Sequence, residues 1–547
     1  MRDGVELSTD LYLPAASGPV PAVLLRTPYD NTLPSLVAKG RRLAEAGYAV
    51  AIQDVRGRFD SDGVYSPFAS EGPDGYDTQA WIAAQPWSNG RIGLSGRSYA
   101  GWTQWTSAVL LHPSVRAIAP RAMAPDLYRG LAWRGGAFNI GVLMTWGLMT
   151  SGRSMQEIGS IDWRDAFRTL PLMEAAAATS QDLASWRAWL THTVRDEYWQ
   201  AFDFESRLDE IQAPALLMGG WYDLYADDML RAFARLREVG GTTAARHSRI
   251  VVGPWPHALS ESTLTGELDF GSRSQIDLEA LEERWFDRWL KDEATAAEST
   301  APTEDAPLRL FIMGTNVWRD EHEWPLARTD WQRWYLHSDG RANTLVGDGT
   351  LSRTAAGEEP VDHFVYHPDF PVPTNGGPNC CSPELVPWGA YDQRDLEMRT
   401  DVLCFTSEPL TDDLEVTGPV SAVIWAVTDG RDTDWTAKLV DVWPNGRAMN
   451  LCDGIIRARF RKGFEREVLL DAGAVERYEI DLMATSNVFR SGHRIRLEVS
   501  SSNFPRFDRN PNTSDAIGMS AEVRAARQSI WHTGNRASYL LLPVIPA

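Results

Sequence analysis

At 547 residues the chain is too long for a single hydrophobic core and is read as two to four domains. Hydrophobic residues make up 43% and charged residues 23%, the balance of a soluble globular protein. A formal charge of −21 would repel nucleic acid and anionic lipid, and no apolar run approaches the roughly 18 residues that span a bilayer. Neither nucleic acid nor a membrane is therefore expected as a partner; a small molecule is.

The first residues, "MRDGVELSTDLYLP", already alternate like a strand and carry no signal-peptide pattern. A cytoplasmic protein is expected, with a trimmed leader as the alternative. From 1 to 125, apolar runs ending in polar turns alternate with helical spacing. "PAVLLRTPYD" (21–30) and "YAVAIQDVRG" (48–57) flank the helix-like "SLVAKGRRLAEAG", and "RIGLSG" leads into a tryptophan-rich segment. Buried strands alternating with helices predict a parallel sheet covered on both faces.

Residues 126–205 read as a helical cap inserted into that domain, with Trp133, Trp146, Trp163, Trp186, Trp189 and Trp199 among helix formers. The α/β grammar returns over 206–295 in "APALLMGGWYD", "DDMLRAFARLREVG" and "RIVVGPWPH". The Ala-, Thr-, Glu- and Pro-rich stretch 291–308 reads as a linker. From 305 to 547, short strands separated by Gly, Pro, Asn and Asp turns predict an all-β jelly roll. The fold class is thus α/β with a β domain behind it. All four cysteines lie in that last part; adjacent Cys380 and Cys381 are not expected to bridge, and a Cys404–Cys452 bridge stays open.

"RIGLSGRSYAGW" (91–102) places a single serine, Ser98, where a strand turns into a helix. Ligands gather at the carboxyl ends of strands in such sheets. A nucleophile elbow is crowded and needs small neighbours, which Gly96, Ala100 and Gly101 supply. A serine hydroxyl attacks only when a histidine takes its proton and a carboxylate orients that histidine. The hydrolase chain order is serine, acid, histidine. "GGWYD" ends one later strand in Asp223, and "GPWPH" ends the next in His257. Asp227 or Asp228 is the alternative acid. The backbone N–H of Tyr99 and the hydroxyl of Tyr29, in "RTPYD", are the candidate oxyanion donors.

At these residues the chain resembles the cocaine-esterase-like (CocE/NonD) serine hydrolases, relatives of α-amino-acid ester hydrolases and X-prolyl dipeptidyl peptidases. "MRDGVELSTDLYLP", "RTPYD", "QDVRGRFDSDG", "GRIGLSGRSYAGWTQW", "GGWYD", "GPWPH", "LRLFIMGTNVWR" and "SGHRIRLEVSSSNFPRFDRNPNT" carry the resemblance along nearly the whole chain. It implies an α/β-hydrolase domain, an inserted cap and a C-terminal jelly roll. It also implies a Ser98, Asp223 and His257 triad, an oxyanion hole of Tyr29 and Tyr99, and no metal or organic cofactor. Asp54 and Arg56 are read as fixing a loop beneath the site.

The expected reaction is two-step hydrolysis of carboxylic esters, or of amides, through an acyl-enzyme. Members preferring an α-ammonium substrate resemble one another in having carboxylates two and three residues after the triad acid; here Tyr225 and Ala226 stand there. A buried ammonium without a counter-charge is costly, so an apolar or aromatic acyl group is expected. Trp102, Trp133, Trp146 and Tyr225 are the candidate pocket residues. Cys380 and Cys381 join them because "PTNGGPNCC" resembles a family loop reaching in from the jelly roll. Asp126 is a stray candidate for an ammonium partner and is read as a helix cap. The rival readings are an acylase or X-prolyl-type peptidase of the same family, and a non-catalytic binding protein built on the jelly roll. A homodimer or higher homo-oligomer is a further expectation.

Overall fold

The structure, a computed structural model, describes every residue except 111, 180–182, 292–305 and 547. The linker read over 291–308 therefore falls almost wholly outside the described residues.

The first sheet has nine strands: β1 (Thr9–Tyr12), β2 (Val20–Thr27), β3 (Ala49–Asp54), β4 (Ser88–Arg97), β5 (Val115–Arg121), β6 (Leu216–Tyr222), β7 (Arg249–Pro256), β8 (Leu308–Ile312) and β9 (Val317–Glu321). Their spatial order is β1-β3-β2-β4-β5-β6-β7-β8-β9. Pairing is parallel from β3 through β8, and antiparallel only at the two edges. β8 and β9 fall in the stretch that the sequence reading gives to the C-terminal domain. They pair into the first sheet rather than the second, as its outermost two strands.

Period-2 side-chain alternation sorts the buried strands onto two faces. Val23, Leu25, Val50, Ile52, Ala117, Ala119 and Met218 meet the helix α1 (Pro34–Glu45) and the helix Leu278–Leu290. Ala22, Leu24, Ala51, Ile92, Leu94 and Val252 face α2 (Glu71–Ala83), α3 (Tyr99–Val109) and the helix Ala226–Val239. Each such aliphatic side chain contributes about 1.5–3 kcal/mol by leaving water. Gly93 has a positional reason: a Cβ there would stand 2.7 Å from the Phe286 ring, so glycine lets the helix lie against β4.

Between β5 and β6 the chain forms the helical cap, whose helix α4 (Ile140–Met149) is buried from Ile140 to Leu148. Beyond β9 lies an eleven-stranded, almost wholly antiparallel β domain. Its strand Glu476–Phe489 meets the end of β8 through Met313 N–H to Ser486 O (3.0 Å) and Val488 N–H to Met313 O (2.9 Å). The cap touches the β domain as well, where Gly141 N–H donates to Arg506 O at 3.2 Å. Cap and β domain thus close over the carboxyl ends of the parallel strands. No helix among the described residues is long and apolar enough to cross a membrane.

Candidate active site

Ser98 sits between β4 and α3 with φ 58° and ψ −125°. A non-glycine residue at positive φ is strained, and such strain persists only where the surroundings impose it. Here they do. Ser98 N–H donates to Arg121 O (2.9 Å), and Gly101 and Trp102 N–H both return to Ser98 O (2.7 and 3.0 Å). The corner also needs its glycine: Gly96 has φ +142°, and a Cβ on it would fall 2.4 Å from that of Ala100.

Asp223 follows β6 and is fully buried; His257 follows β7 and is 8% exposed. Their contact is 3.1 Å between Asp223 Oδ1 and His257 Nδ1. Asp223 Oδ2 has no hydrogen-bond partner among the described residues. Asp227 and Asp228 are committed elsewhere: both pair with Arg231, and Asp228 also with Arg134 at 2.7 Å. Asp223, not these two, is the acid that reaches the histidine. A direct Ser98–His257 hydrogen bond is not among the contacts of the described residues; such bonds commonly tighten only when substrate docks.

Tyr29 lies over Ser98. Its hydroxyl accepts a hydrogen bond from Trp146 Nε1 at 2.9 Å, and Tyr29 and Ser98 line the same cleft. Because the indole can only donate, the phenolic O–H is left to point into the cleft. Burial raises the Tyr29 pKa, which keeps that proton in place at neutral pH. The loop carrying it is pinned from two sides. Asn31 N–H donates to Asp54 Oδ1 (2.8 Å), and Arg58 Nε donates to Pro28 O (2.9 Å) while its Nη1 reaches Thr150 O in the cap (2.9 Å). Burial pushes the Asp54 carboxyl up to about 7. Asp54 thus does fix a loop at the site, but its partner in the task is Arg58. Arg56 instead pairs with Asp74 and Asp3.

Tyr99 is the first residue of α3, and first-turn N–H groups have no partner within a helix, so its backbone N–H is available beside Ser98. Its side chain points away into the core, donating to Glu71 Oε1 (2.7 Å) and accepting from Phe68 N–H (2.8 Å).

A narrow cleft opens at Ser98, lined by Tyr29, Phe68, Met123, Leu131, Val142, Trp146, Tyr225, Cys380 and Cys381 among others. No carboxylate is among its lining residues. Tyr225 and Trp146 are therefore at the cleft as the sequence suggests. Trp102 and Trp133 are not. Trp102 is fully buried behind Phe68, donating to Phe68 O at 3.3 Å. Trp133, also fully buried, borders a separate cleft between the cap and the β domain. Asp126 lies outside the cleft, and its carboxylate accepts the Tyr128 N–H at 2.8 Å. Phe68, Met123, Leu131 and Val142 escape the sequence reading. Met123 alone carried a signal, standing two residues past the end of β5.

Adjacent cysteines are not expected to bridge, yet Cys380 and Cys381 are joined by a disulfide. Cys381 adopts φ 81°, within a loop held by paired hydrogen bonds between Gly377 and Gly389 (2.8 and 2.9 Å) and by Asn379 Nδ2 to Pro387 O (2.6 Å). That imposed turn brings the neighbouring thiols together. Cys404 and Cys452 remain free and buried, which closes the question of a bridge between them.

Comparison with known proteins agrees with this architecture. Residues 3–259 match the family model for X-Pro dipeptidyl-peptidase (S15 family), and 300–541 match the X-Pro dipeptidyl-peptidase C-terminal non-catalytic domain. A cocaine esterase from Rhodococcus sp. is 39% identical, with 100% of this chain and 97% of the relative covered. The chain belongs to the cocaine-esterase-like family of serine hydrolases. It is an enzyme of small-molecule ester or amide hydrolysis. A putative serine esterase of Mycobacterium bovis is 27% identical over 100% of this chain and 94% of its own length. An aminopeptidase from a Thaumarchaeota archaeon superposes with a TM-score of 0.86 at 28% identity, covering 100% of this chain and 95% of its own. An α-amino acid ester hydrolase does so with 0.85 at 26% identity and the same coverage. An aminopeptidase and an α-amino acid ester hydrolase thus share this scaffold.

Proposed function

We propose that this hydrolase cleaves esters with an apolar or aromatic acyl group, with Ser98 as nucleophile, His257 as base and Asp223 as its orienting acid. The observation that carries the reading is the cleft itself: Ser98 opens onto aromatic, aliphatic and sulfur-bearing side chains, with no carboxylate among them. An α-ammonium group entering it would be buried without a counter-charge, at a cost of several kcal/mol. Tyr225 and Ala226 stand where ammonium-selective relatives resemble one another in carrying carboxylates.

His257 accepts the Ser98 proton as Oγ attacks the acyl carbon, and the imidazolium is held by Asp223. The carbonyl oxygen, now an oxyanion, is received by the Tyr29 hydroxyl and the Tyr99 N–H. Collapse expels the alcohol with the proton from His257, leaving an ester on Ser98. Water enters, gives its proton to the same imidazole, and the tetrahedral intermediate collapses to acid and free Ser98. The relative named cocaine esterase is compatible with an aromatic acyl group of this kind.

The test is hydrolysis of p-nitrophenyl acetate, butyrate and benzoate beside an amino-acid p-nitroanilide. Ester turnover is expected to exceed anilide turnover and to fall by about 10⁶-fold in Ser98→Ala. Preferential cleavage of the anilide would move the enzyme to the aminopeptidase side of the family.

A further inference from the structure

We propose that Cys380 and Cys381, once reduced, form with His257 a site for a soft divalent metal ion, and that its occupation switches the hydrolase off. The three donor atoms, two sulfurs and one ring nitrogen, lie within 4.8 Å of one another. On a tetrahedral ion with metal–sulfur bonds of about 2.3 Å and metal–nitrogen bonds of about 2.0–2.1 Å, such ligands stand roughly 3.5–3.8 Å apart. The sulfurs therefore have to separate once their bond opens, while the imidazole needs only a small approach. Two thiolates and an imidazole are a donor set that favours Zn²⁺ or Cd²⁺ over hard cations, and a fourth position is left for water.

A second observation points the same way. Metal-ligating imidazoles commonly direct their other ring nitrogen to a carboxylate, which sets the tautomer and raises basicity. His257 Nδ1 already faces Asp223 Oδ1 at 3.1 Å, leaving Nε2 for the ion. The other thiols of the chain, Cys404 and Cys452, are buried and their pKa values are raised by that burial, so they do not offer thiolates in competition.

The disulfide form is the active one. A dithiol reductant supplies two electrons and two protons, is itself oxidised to a disulfide, and leaves Cys380 and Cys381 as thiols. The ion then displaces both protons to solvent, forming two metal–sulfur bonds and one metal–nitrogen bond. The Nε2 lone pair is now occupied, so it can no longer take the proton of Ser98. The inhibitory half of this proposal rests on His257 being the base; the binding half does not.

The experiment uses the full chain, oxidised or reduced with dithiothreitol and then freed of it under anaerobic conditions. Cd²⁺ is titrated against two readouts, thiolate-to-metal charge-transfer absorbance and p-nitrophenyl ester hydrolysis. The reduced protein should bind one Cd²⁺ per chain with growth of the absorbance band and lose at least tenfold in turnover, restored by a chelator. The oxidised protein should show neither change. Ser98→Ala should keep the band, which separates metal binding from the hydrolase reading. Cys381→Ser and Cys380→Ser should each abolish the band at one equivalent. A band that persists in both, or full activity in the Cd²⁺-loaded reduced protein, would overturn the proposal.

Discussion

Ser98, Asp223 and His257 stand at the ends of buried parallel strands, whereas Cys380 and Cys381 reach the same cleft on a loop of the β domain. The strand ends are rigid because both faces of the sheet are covered, so a side chain one residue past a strand has little freedom. The loop is held by a handful of turns and hydrogen bonds around Gly377, Gly389 and Asn379. A scaffold divided in this way can keep its chemistry while its acyl wall changes.

Substitutions on the two sides should therefore differ in kind. On the strand side, Asp223→Asn should lower kcat by about 10⁴-fold with the fold intact, because the imidazole loses its orienting charge; a loss below tenfold would mean another acid serves. Tyr29→Phe should cost about 10²–10³ in kcat with KM little changed, the signature of an oxyanion donor. If KM rises and kcat does not, Tyr29 is only a wall. On the specificity side, Tyr225→Asp should raise turnover of amino-acid esters relative to p-nitrophenyl butyrate by about tenfold, one added charge contact being worth about 1.4 kcal/mol. An unchanged ratio would show that the acyl wall does not end at this position. Smallest is Trp146→Phe, which removes the hydrogen bond to the Tyr29 hydroxyl. About 1 kcal/mol, or roughly fivefold in kcat, is expected, and no further loss when combined with Tyr29→Phe.

The legible parts of the site were those with a local cause. A serine between Gly96 and Gly101 at a strand end, and an acid and a histidine ending two later strands, announce themselves because strand, turn and helix have different side-chain periods. Tyr29 was readable for the same reason. Trp102 was misplaced because it lies on α3 just past Ser98, and being near in sequence says nothing about which face of a helix meets the cleft; its indole turns inward to Phe68 O. Phe68 and Val142 carried no local signal at all, since an apolar residue in a loop or a fully buried helix looks the same whether it lines a cavity or fills a core.

By itself the sequence determined the α/β domain, the inserted cap, the β domain and the order of Ser98, Asp223 and His257, since hydrophobic period and turn chemistry are local properties of the chain. Only the tertiary structure decided that β8 and β9 complete the first sheet and that Arg58 rather than Arg56 anchors the Tyr29 loop. It alone joined Cys380 to Cys381 beside His257. Those outcomes depend on which distant segments meet, and the meeting is set by burying the faces of separate elements together, which no single stretch of residues encodes.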